Sequence, residues 1–486
     1  MVIFASFSEM NRSKKPLPLL EKVEIIDAGA EGKAIARHNN KVIFVPFVVP
    51  GDIVDIQVTR KKKSYLEGKA VRFHQKSDLR IEPRCIHFGV CGGCRWQNLD
   101  YASQLQFKQK QVKDAFERIG KLKFSEISPI IPSEKPYEYR NKLEFTFSNR
   151  KWFTEHLENS PEERDRYGLG FHLATMFDRI VDIEQCHLQE DFSNELRLAA
   201  REFALESGLE FYDVRKMKGF FRNLVIRCTS TGEWMAIVVF GEEWPEAISG
   251  FMDHLKGKFP KLTSLYYIIN GKHNDDFSDL NPVLWYGKPH ITEEMANPEA
   301  GSPQLKFRIS PVSFFQTNSL QAARLYRTAW EFAGLKGNEI VYDLYSGAGT
   351  IASYLAGKAG KVIGIEYNVS AVHDARSNAE LNGISNVYFF SGDILKVMDD
   401  HFIRETGQPD LIITDPPRAG MHEKVVMKIL EIQPPKVIYI SCNPSTQARD
   451  LSLMADKYEI VSVQPVDMFP QTHHVENVVL LVSRTS

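Results

Sequence analysis

The chain has 486 residues, of which 43% are hydrophobic and 25% are charged, and its formal net charge is -2 at pH 7. This composition excludes a disordered chain, and the near-zero charge excludes a surface that is basic throughout, so a nucleic acid would have to be held by local patches. No apolar run reaches the roughly 18–20 residues that span a bilayer, and residues 1–20 lack the pattern of a signal peptide, so we expect a cytoplasmic protein without membrane contact.

The first part of the chain is predicted to form a small β-barrel after a polar, disordered lead that ends near Pro16. Short β-rich runs alternate with glycine, asparagine, proline and lysine turns, at residues 22–26, 33–36, 41–45, 53–59 and 65–73. We place this domain at residues 16–77.

A basic edge is predicted on this barrel. It is formed by Arg60, Lys61, Lys62, Lys63, Tyr65, Lys69 and Arg72. A run of charges is usually only a solvated turn, but basic loops beside an aromatic residue also suit single-stranded RNA, which offers phosphates and bases that stack.

Four of the six cysteines form a candidate metal site in the next part of the chain. Cys85, Cys91 and Cys94 follow a C-x5-C-x2-C spacing, and Cys186 lies downstream. Six cysteines are too few for a disulfide scaffold in a chain of this length, and four thiolates suit either a tetrahedral zinc ion or an iron–sulfur cluster. Spacing alone does not choose between them, and Cys228 is interpreted as a core residue.

The middle of the chain is predicted to be an α+β domain at residues 78–303. Residues 101–120 have the pattern of an amphipathic helix, with Lys108, Lys110, Lys113 and Arg118 on its polar side. Beyond about residue 125, strands and helices mix without regular alternation.

Residues 304–486 are predicted to form a Rossmann-like α/β domain. Apolar runs at 340–344, 362–365, 387–390, 411–414 and 437–440 are separated by helical stretches, a pattern typical of a parallel sheet covered on both faces.

A nucleoside-bearing cofactor is predicted at the first of these strands. The strand runs into a glycine-rich turn that contains Gly347 and Gly349, and Glu366 follows at the end of the next strand, where a carboxylate can accept hydrogen bonds from a ribose. NAD would fit these features almost as well as S-adenosylmethionine, and a glycine turn without a ligand is the simplest alternative. The rigid acidic segment that begins at Asp415 favours S-adenosylmethionine, because methyltransferases of this fold place such a motif beside the transferred methyl group.

Cys442 is the candidate nucleophile for methylation of carbon 5 of a uracil. That carbon reacts with a sulfonium methyl group only after a thiolate has added to carbon 6, and a base must later remove the proton from carbon 5. Cys442 follows a buried strand on the sheet edge that carries Gly347 and Asp415, and a helix predicted to begin near Ser445 would favour its thiolate. The alternative is an inert core cysteine.

Glu476 is the candidate base, because it enters an apolar strand at residues 476–481, where a charge is costly unless it is functional or paired. A solvated residue at the mouth of the strand is the simpler interpretation. His473 and His474 are lower-ranked proton carriers.

The chain resembles the RNA uracil methyltransferases that form 5-methyluridine, over nearly its whole length, including a TRAM-like barrel. The resemblance rests on FFQTN at 314–318, DLYSGAGT at 343–350, DPPRAG at 415–420, SCNPSTQARD at 441–450 and DMFPQTHHVE at 467–476. Ser346 departs from the cysteine that many members have at this position, which has no catalytic role in the family.

The resemblance implies a role for each matching residue. Cofactor-binding residues would be Gln316, Tyr345, Glu366 and Asp415, with Cys442 as nucleophile and Glu476 as proton acceptor. Arg140 would contact a flipped uridine, and Cys85, Cys91, Cys94 and Cys186 would hold a structural 4Fe-4S cluster, with zinc as the alternative.

The resemblance also implies a substrate. The barrel and the four cysteines are more like those of the bacterial 23S ribosomal RNA branch of the family than like the compact transfer-RNA enzymes. We therefore expect 23S ribosomal RNA as the substrate, with transfer RNA as the alternative. We also expect the enzyme to be a monomer. Two further alternatives are methylation of an exocyclic amine, which Arg418 and Cys442 argue against, and a non-catalytic RNA-binding protein with an iron–sulfur cluster.

Overall fold

The computed structural model describes residues 17–153, 166–173, 176–277 and 279–484. Contacts divide them into two compact units, of which the first extends to Glu82 and includes Asn98–Asp100, and the second contains Pro83–Gln97 and the chain from Tyr101. The disordered segment predicted for residues 1–16 lies outside the described residues. The residue ranges of the three domains and the cytoplasmic location stay predictions. Within the described ranges, no helix is long and apolar enough to cross a membrane.

The first unit contains a closed five-stranded barrel, which confirms the predicted fold of this region. Its strands are β1 (Leu19–Ala28), β2 (Lys33–His38), β3 (Lys41–Pro46), β4 (Ile53–Lys61) and β5 (Tyr65–Gln75), in the order β1-β2-β3-β5-β4. Each strand is longer than the apolar run that predicted it. Gly68 permits close packing between the paired strands β4 and β5, because a Cβ atom there would lie 2.4 Å from Cγ2 of Ile56.

The end of β4 and the turn that follows it carry the first four residues of the predicted basic edge. Arg60, Lys61, Lys62 and Lys63 are all exposed. The barrel thus presents a local positive surface that the net charge of the chain does not reveal.

The first part of the second unit contains three helices and a mixed sheet. The helices are α1 (Tyr101–Asp114), which continues as a π-helical turn (Ala115–Gly120), α2 (Asp191–Glu206) and α3 (Pro245–Lys258). The sheet comprises β6 (Lys142–Ser148), β7 (Gly168–Leu173), β8 (Met176–Asp182), β9 (Phe221–Cys228), β10 (Trp234–Phe240), β11 (Ser264–Ile269) and β12 (Val283–Gly287), in the order β12-β11-β10-β9-β6-β7-β8. Only β10 and β11 pair in parallel among these strands. This arrangement agrees with the predicted α+β fold of the middle of the chain.

The position of Lys108 on α1 was predicted wrongly. Its side chain is fully buried, whereas those of Lys110 and Lys113 are 41% and 60% exposed. Lys108 shares the helical face of Tyr101 and Val112, at a spacing that normally holds apolar residues. It therefore points into the protein, toward a partner distant in the sequence.

A short hairpin and a second large sheet complete the unit. The hairpin pairs β13 (Ile291–Met295) with β14 (Leu305–Ile309). The strands of the sheet are β15 (Ile340–Leu344), β16 (Lys361–Glu366), β17 (Val387–Ser391), β18 (Leu411–Thr414), β19 (Lys436–Ser441), β20 (Tyr458–Val466) and β21 (Glu476–Ser483). The helices are α4 (Ser319–Ala333), α5 (Thr350–Ala356), α6 (Val369–Leu381), α7 (Ile394–Val397), α8 (Asp400–Thr406), α9 (Glu423–Ile432) and α10 (Pro444–Met454).

The strand order β17-β16-β15-β18-β19-β21-β20 confirms the predicted α/β fold. The first five strands are parallel, and β21 pairs antiparallel with both β19 and β20. The chain leaves β15 toward β16 and later returns on its other side as β18. In such sheets, ligands bind at the carboxyl ends of the strands beside this change of direction.

Candidate active site

A strained turn at the end of β15 forms the predicted cofactor loop. Tyr345 has a φ of 62°, and Gly347 and Gly349 have φ values of 53° and 77°, all in the left-handed region. Glycine is required at position 349, because a Cβ atom there would lie 2.7 Å from Cζ of Phe389. A left-handed tyrosine is uncommon and costs backbone energy, as residues at ligand sites often do.

Glu366 holds this loop from the end of β16. Its Oε2 accepts a hydrogen bond from the Gly347 amide at 3.0 Å, and its Oε1 accepts one from the Asn368 amide at 2.8 Å. The carboxylate therefore fixes the glycine turn while its side chain remains partly accessible from the cavity.

Buried polar atoms without partners surround the same turn. Asp343 Oδ1, Ser346 Oγ and Thr414 Oγ1 have no hydrogen-bond partner, although the other carboxylate oxygen of Asp343 accepts from the Ala352 amide at 3.1 Å. Burial, with repulsion from Asp415 and Glu366, raises the pKa of Asp343 well above its usual range. Unsatisfied buried groups near several carboxyl groups fit a polar ligand that carries positive charge, as S-adenosylmethionine does.

The predicted site residues of the second unit line one cavity of about 1400 Å³. On its wall lie Gln316, Tyr345, Glu366, Asp415, Cys442 and Glu476. The parallel strands bring these residues together from widely separated parts of the sequence. Arg140 and the four predicted metal ligands line the same cavity.

Cys442 lies between the end of β19 and the start of α10. Asn443 caps the helix by accepting a hydrogen bond from the Ser445 amide at 3.1 Å. The helix expected to favour the thiolate does begin here, but burial, with repulsion from Glu476 and Asp415, raises the pKa of Cys442 to about 12. Arg418 acts in the opposite direction but does not offset these effects.

Glu476 opens β21 and is 4% exposed. Burial and the neighbouring Asp415 raise the pKa of Glu476 well above its usual range, although Arg418 partly opposes them. Burial also raises the pKa of Asp415. A carboxylate that binds its proton unusually tightly is suited to accept one during a reaction.

The two histidines before Glu476 have lowered basicity. Burial lowers the pKa of His473 to about 4 and that of His474 to about 3, and their ring centroids lie 4.1 Å apart with the rings tilted by 38°. Both imidazoles are therefore neutral at pH 7. His474 lines the cavity beside Glu476.

Cys85, Cys91, Cys94 and Cys186 have free thiols. Backbone bonds tie the cysteine segment to β7: the Gly92 amide donates to the His172 carbonyl at 3.2 Å, and Cys91 forms a β-bridge with Leu173. Among the residues that the structure describes, no three His, Cys, Asp or Glu side chains are arranged to hold a metal ion.

Two cavity residues were not identified as site residues from the sequence. Phe314 lines the cavity and is 70% exposed, whereas the adjacent Phe315 is buried. Consecutive aromatic residues in an irregular segment indicate that one of them faces away from the core, and this is the signal that the sequence carries. Arg418 also lines the cavity, as the cation that opposes the raised pKa values of Cys442 and Glu476.

Replacing Glu366 with glutamine tests the cofactor site. Because an amide carries no charge and loses one acceptor toward the turn, we expect S-adenosylmethionine to bind roughly 10–100-fold more weakly. Isothermal titration calorimetry would measure this, with the exposed Glu380→Gln on α6 as the control. Unchanged affinity would contradict the assignment of Glu366.

Comparison with known proteins gives the family. A sequence model of the TRAM domain matches residues 21–71, and one described as tRNA (Uracil-5-)-methyltransferase matches residues 288–484. An "uncharacterized RNA methyltransferase" of Bacteroides thetaiotaomicron is 51% identical over 459 residues, which cover 94% of this chain and 100% of that protein. A protein of the same name from Porphyromonas gingivalis is 49% identical over 95% of this chain and 100% of its own length.

A solved structure agrees with this result. The Pyrococcus abyssi tRNA (uracil-54, C5)-methyltransferase in complex with S-adenosyl-L-homocysteine is 30% identical, with a TM-score of 0.71, and the match covers 95% of this chain and 100% of that one. The relationship sets aside a non-catalytic RNA-binding protein and confirms S-adenosylmethionine, rather than NAD, as the cofactor. The chain belongs to the RNA uracil-5-methyltransferase family and is an RNA methyltransferase that uses S-adenosylmethionine.

Proposed function

We propose that this enzyme methylates carbon 5 of a uridine in RNA through a covalent bond between Cys442 and carbon 6. The observation that carries the proposal is the placement of Cys442, Asp415 and Glu476 in one cavity with the cofactor turn. Methylation of an exocyclic amine needs neither a thiol nor a base of this kind. The match to a uracil-5-methyltransferase family also favours carbon 5.

The catalytic residues act one after another on the bound base. The Cys442 thiolate adds to carbon 6, which gives carbon 5 the electron density to attack the methyl group, and Glu476 then accepts the carbon 5 proton. Bound S-adenosylmethionine supplies the methyl group and a positive charge, and that charge favours ionisation of the Cys442 thiol. Gln316, Tyr345 and Glu366 hold the cofactor.

RNA would be held by local patches. The exposed basic turn of the barrel offers phosphate contacts, and the exposed ring of Phe314 in the cavity can stack on a base. Arg140 lines the same cavity, with its Nε committed to the Lys142 carbonyl at 3.0 Å and the rest of its guanidinium left to contact the uridine. The substrate base must leave its stack to reach Cys442.

The substrate we favour is 23S ribosomal RNA, acted on by a monomer. The barrel and the four cysteines support this choice, whereas the similarity to a Pyrococcus enzyme named for transfer RNA favours transfer RNA. Purified enzyme should be incubated with labelled S-adenosylmethionine and with 23S ribosomal or transfer RNA from cells that lack the modification. Label in 5-methyluridine of ribosomal RNA alone supports the proposal, and label only in transfer RNA reverses the choice.

The four cysteines would hold a 4Fe-4S cluster. All four line the same cavity, and a purely thiolate ligand set suits iron–sulfur chemistry. A single zinc ion would need thiolates about 3.8 Å apart, from its bond length and tetrahedral geometry. Zinc is the alternative, and elemental analysis separates the two.

Replacing Cys94 with serine tests the cluster. We expect the variant, purified without oxygen, to lose most of its iron and its broad absorption in the visible range, while Cys228→Ser retains both. Iron and zinc would be measured by elemental analysis. Zinc in the wild type, or iron that survives the loss of Cys94, would contradict the proposal.

A further inference from the structure

A buried ion pair joins α1 to the segment that precedes Glu476. Lys108 and Asp467 both have fully buried side chains, and Nζ of Lys108 lies 2.5 Å from Oδ1 of Asp467. Nζ also donates to the Phe469 carbonyl at 3.0 Å, and the hydroxyl of Tyr101 donates to the other Asp467 oxygen at 2.8 Å. Two side chains on one helical face, Lys108 and Tyr101, therefore fix the start of the loop between β20 and β21 through three contacts.

Gln104 lies one helical turn before Lys108 on α1 and fixes the same loop. Its Nε2 donates to Oε1 of Gln471 at 3.1 Å, and its Oε1 accepts from the Gln471 amide at 2.9 Å. The amides of Arg95 and Trp96 both donate to the Gln471 carbonyl at 3.0 Å. Gln471 has a φ of 67°, a strained conformation that persists only where the surroundings enforce it.

Stability alone does not account for this arrangement. A buried ion pair contributes little more to folding than a well-packed apolar pair, because both charges lose their hydration. An ion pair does, however, fix the orientation of its two side chains, which an apolar contact does not. Here the directed bonds end on residues 467–471, a few residues before the carboxylate that the proposed function uses as a base.

We propose that Lys108 and Gln104 are positioning residues that hold Glu476 where it can accept the carbon 5 proton. In that step the C5–H bond breaks and the proton goes to the Glu476 carboxylate. The C–H electron pair forms the C5–C6 double bond, and the C6–S bond breaks with its electrons returning to Cys442. This inference rests on the proposed function, since it requires Glu476 to be the base.

The test separates the early chemistry from the proton transfer. RNA containing 5-fluorouridine has no proton to lose at carbon 5, so stable attachment to the enzyme reports only cysteine addition and methyl transfer. Uridine RNA reports the complete cycle. Misplacement of a reacting group by about 1 Å can cost roughly 100-fold in rate, so a positioning defect is measurable.

Lys108→Met should slow turnover on uridine RNA roughly 10–100-fold, while the rate of attachment to 5-fluorouridine RNA stays within about threefold of wild type. A methylated enzyme–uridine adduct should accumulate on denaturing gels. Lys110→Met, on the exposed side of α1, is the matched control and should behave as wild type. The double variant Lys108→Met/Asp467→Asn removes both buried charges, so it should melt closer to wild type than the single variant while retaining the same defect.

Two results would overturn the inference: unchanged turnover in a folded Lys108→Met, or a parallel loss of attachment and turnover in the double variant, which indicates a merely structural role. If wild-type enzyme forms no adduct with 5-fluorouridine RNA, the proposed function itself fails and this inference with it.

Discussion

Replacing Cys442 with serine is expected to abolish methylation of RNA. A serine hydroxyl is nearly the same size as the thiol but ionises far less readily and is a much weaker nucleophile toward carbon 6, so kcat should fall by at least about 10⁴-fold. Transfer of labelled methyl groups to RNA under saturating substrate measures this. Binding of S-adenosylmethionine should be nearly unchanged, because the cofactor turn does not depend on the thiol.

Cys228→Ser is the matched control for this experiment. Cys228 ends β9 and accepts a hydrogen bond from Nε2 of Gln189 at 3.5 Å, and it is not among the residues that line the active-site cavity. Its replacement should leave methylation near the wild-type rate. Retention of activity by Cys442→Ser would disprove covalent catalysis by this residue.

Replacing Glu476 with glutamine should slow turnover by about 10²–10⁴-fold, the usual contribution of a positioned base. The amide fills the same buried space but cannot accept the carbon 5 proton. Because cysteine addition and methyl transfer precede that step, the variant should accumulate a covalent RNA adduct that already carries the new methyl group. Denaturing electrophoresis with labelled S-adenosylmethionine would reveal this species.

The control for Glu476 is Glu459→Gln, an exposed substitution on the neighbouring strand β20. It should neither slow turnover nor retain RNA. Rapid turnover by Glu476→Gln, or slow turnover without an adduct, would require another base. His474 is then the next candidate, since its neutral imidazole lines the same cavity.

The sheet around the site could be predicted because its strands carry strong local patterns. Buried parallel strands are continuous apolar runs bounded by polar or turn residues, and β15 and β18 match their predicted limits at Ile340–Leu344 and Leu411–Thr414. Residues at the carboxyl ends of such strands meet at one edge of the sheet. That rule is sufficient to predict that Asp415 and Cys442 lie at the same edge.

Contacts between residues that are distant in the sequence could not be predicted from local sequence patterns. Lys108 is a charged residue at a helical position that normally holds an apolar side chain, and its partner Asp467 lies 359 residues later. The raised pKa of Cys442 could not be predicted for the same reason, because the helix start is visible in the sequence whereas burial and repulsion from Glu476 and Asp415 depend on the fold. Buried electrostatics therefore limited the prediction more than secondary structure did.

Trapping with 5-fluorouridine RNA tests the central claim most directly. After digestion, mass spectrometry should locate a methylated fluorouridine nucleotide on the peptide that contains Cys442, and the flanking RNA sequence should identify the modified position. An enzyme that methylates uridine RNA yet forms no such bond, or forms it at another residue, would contradict the account.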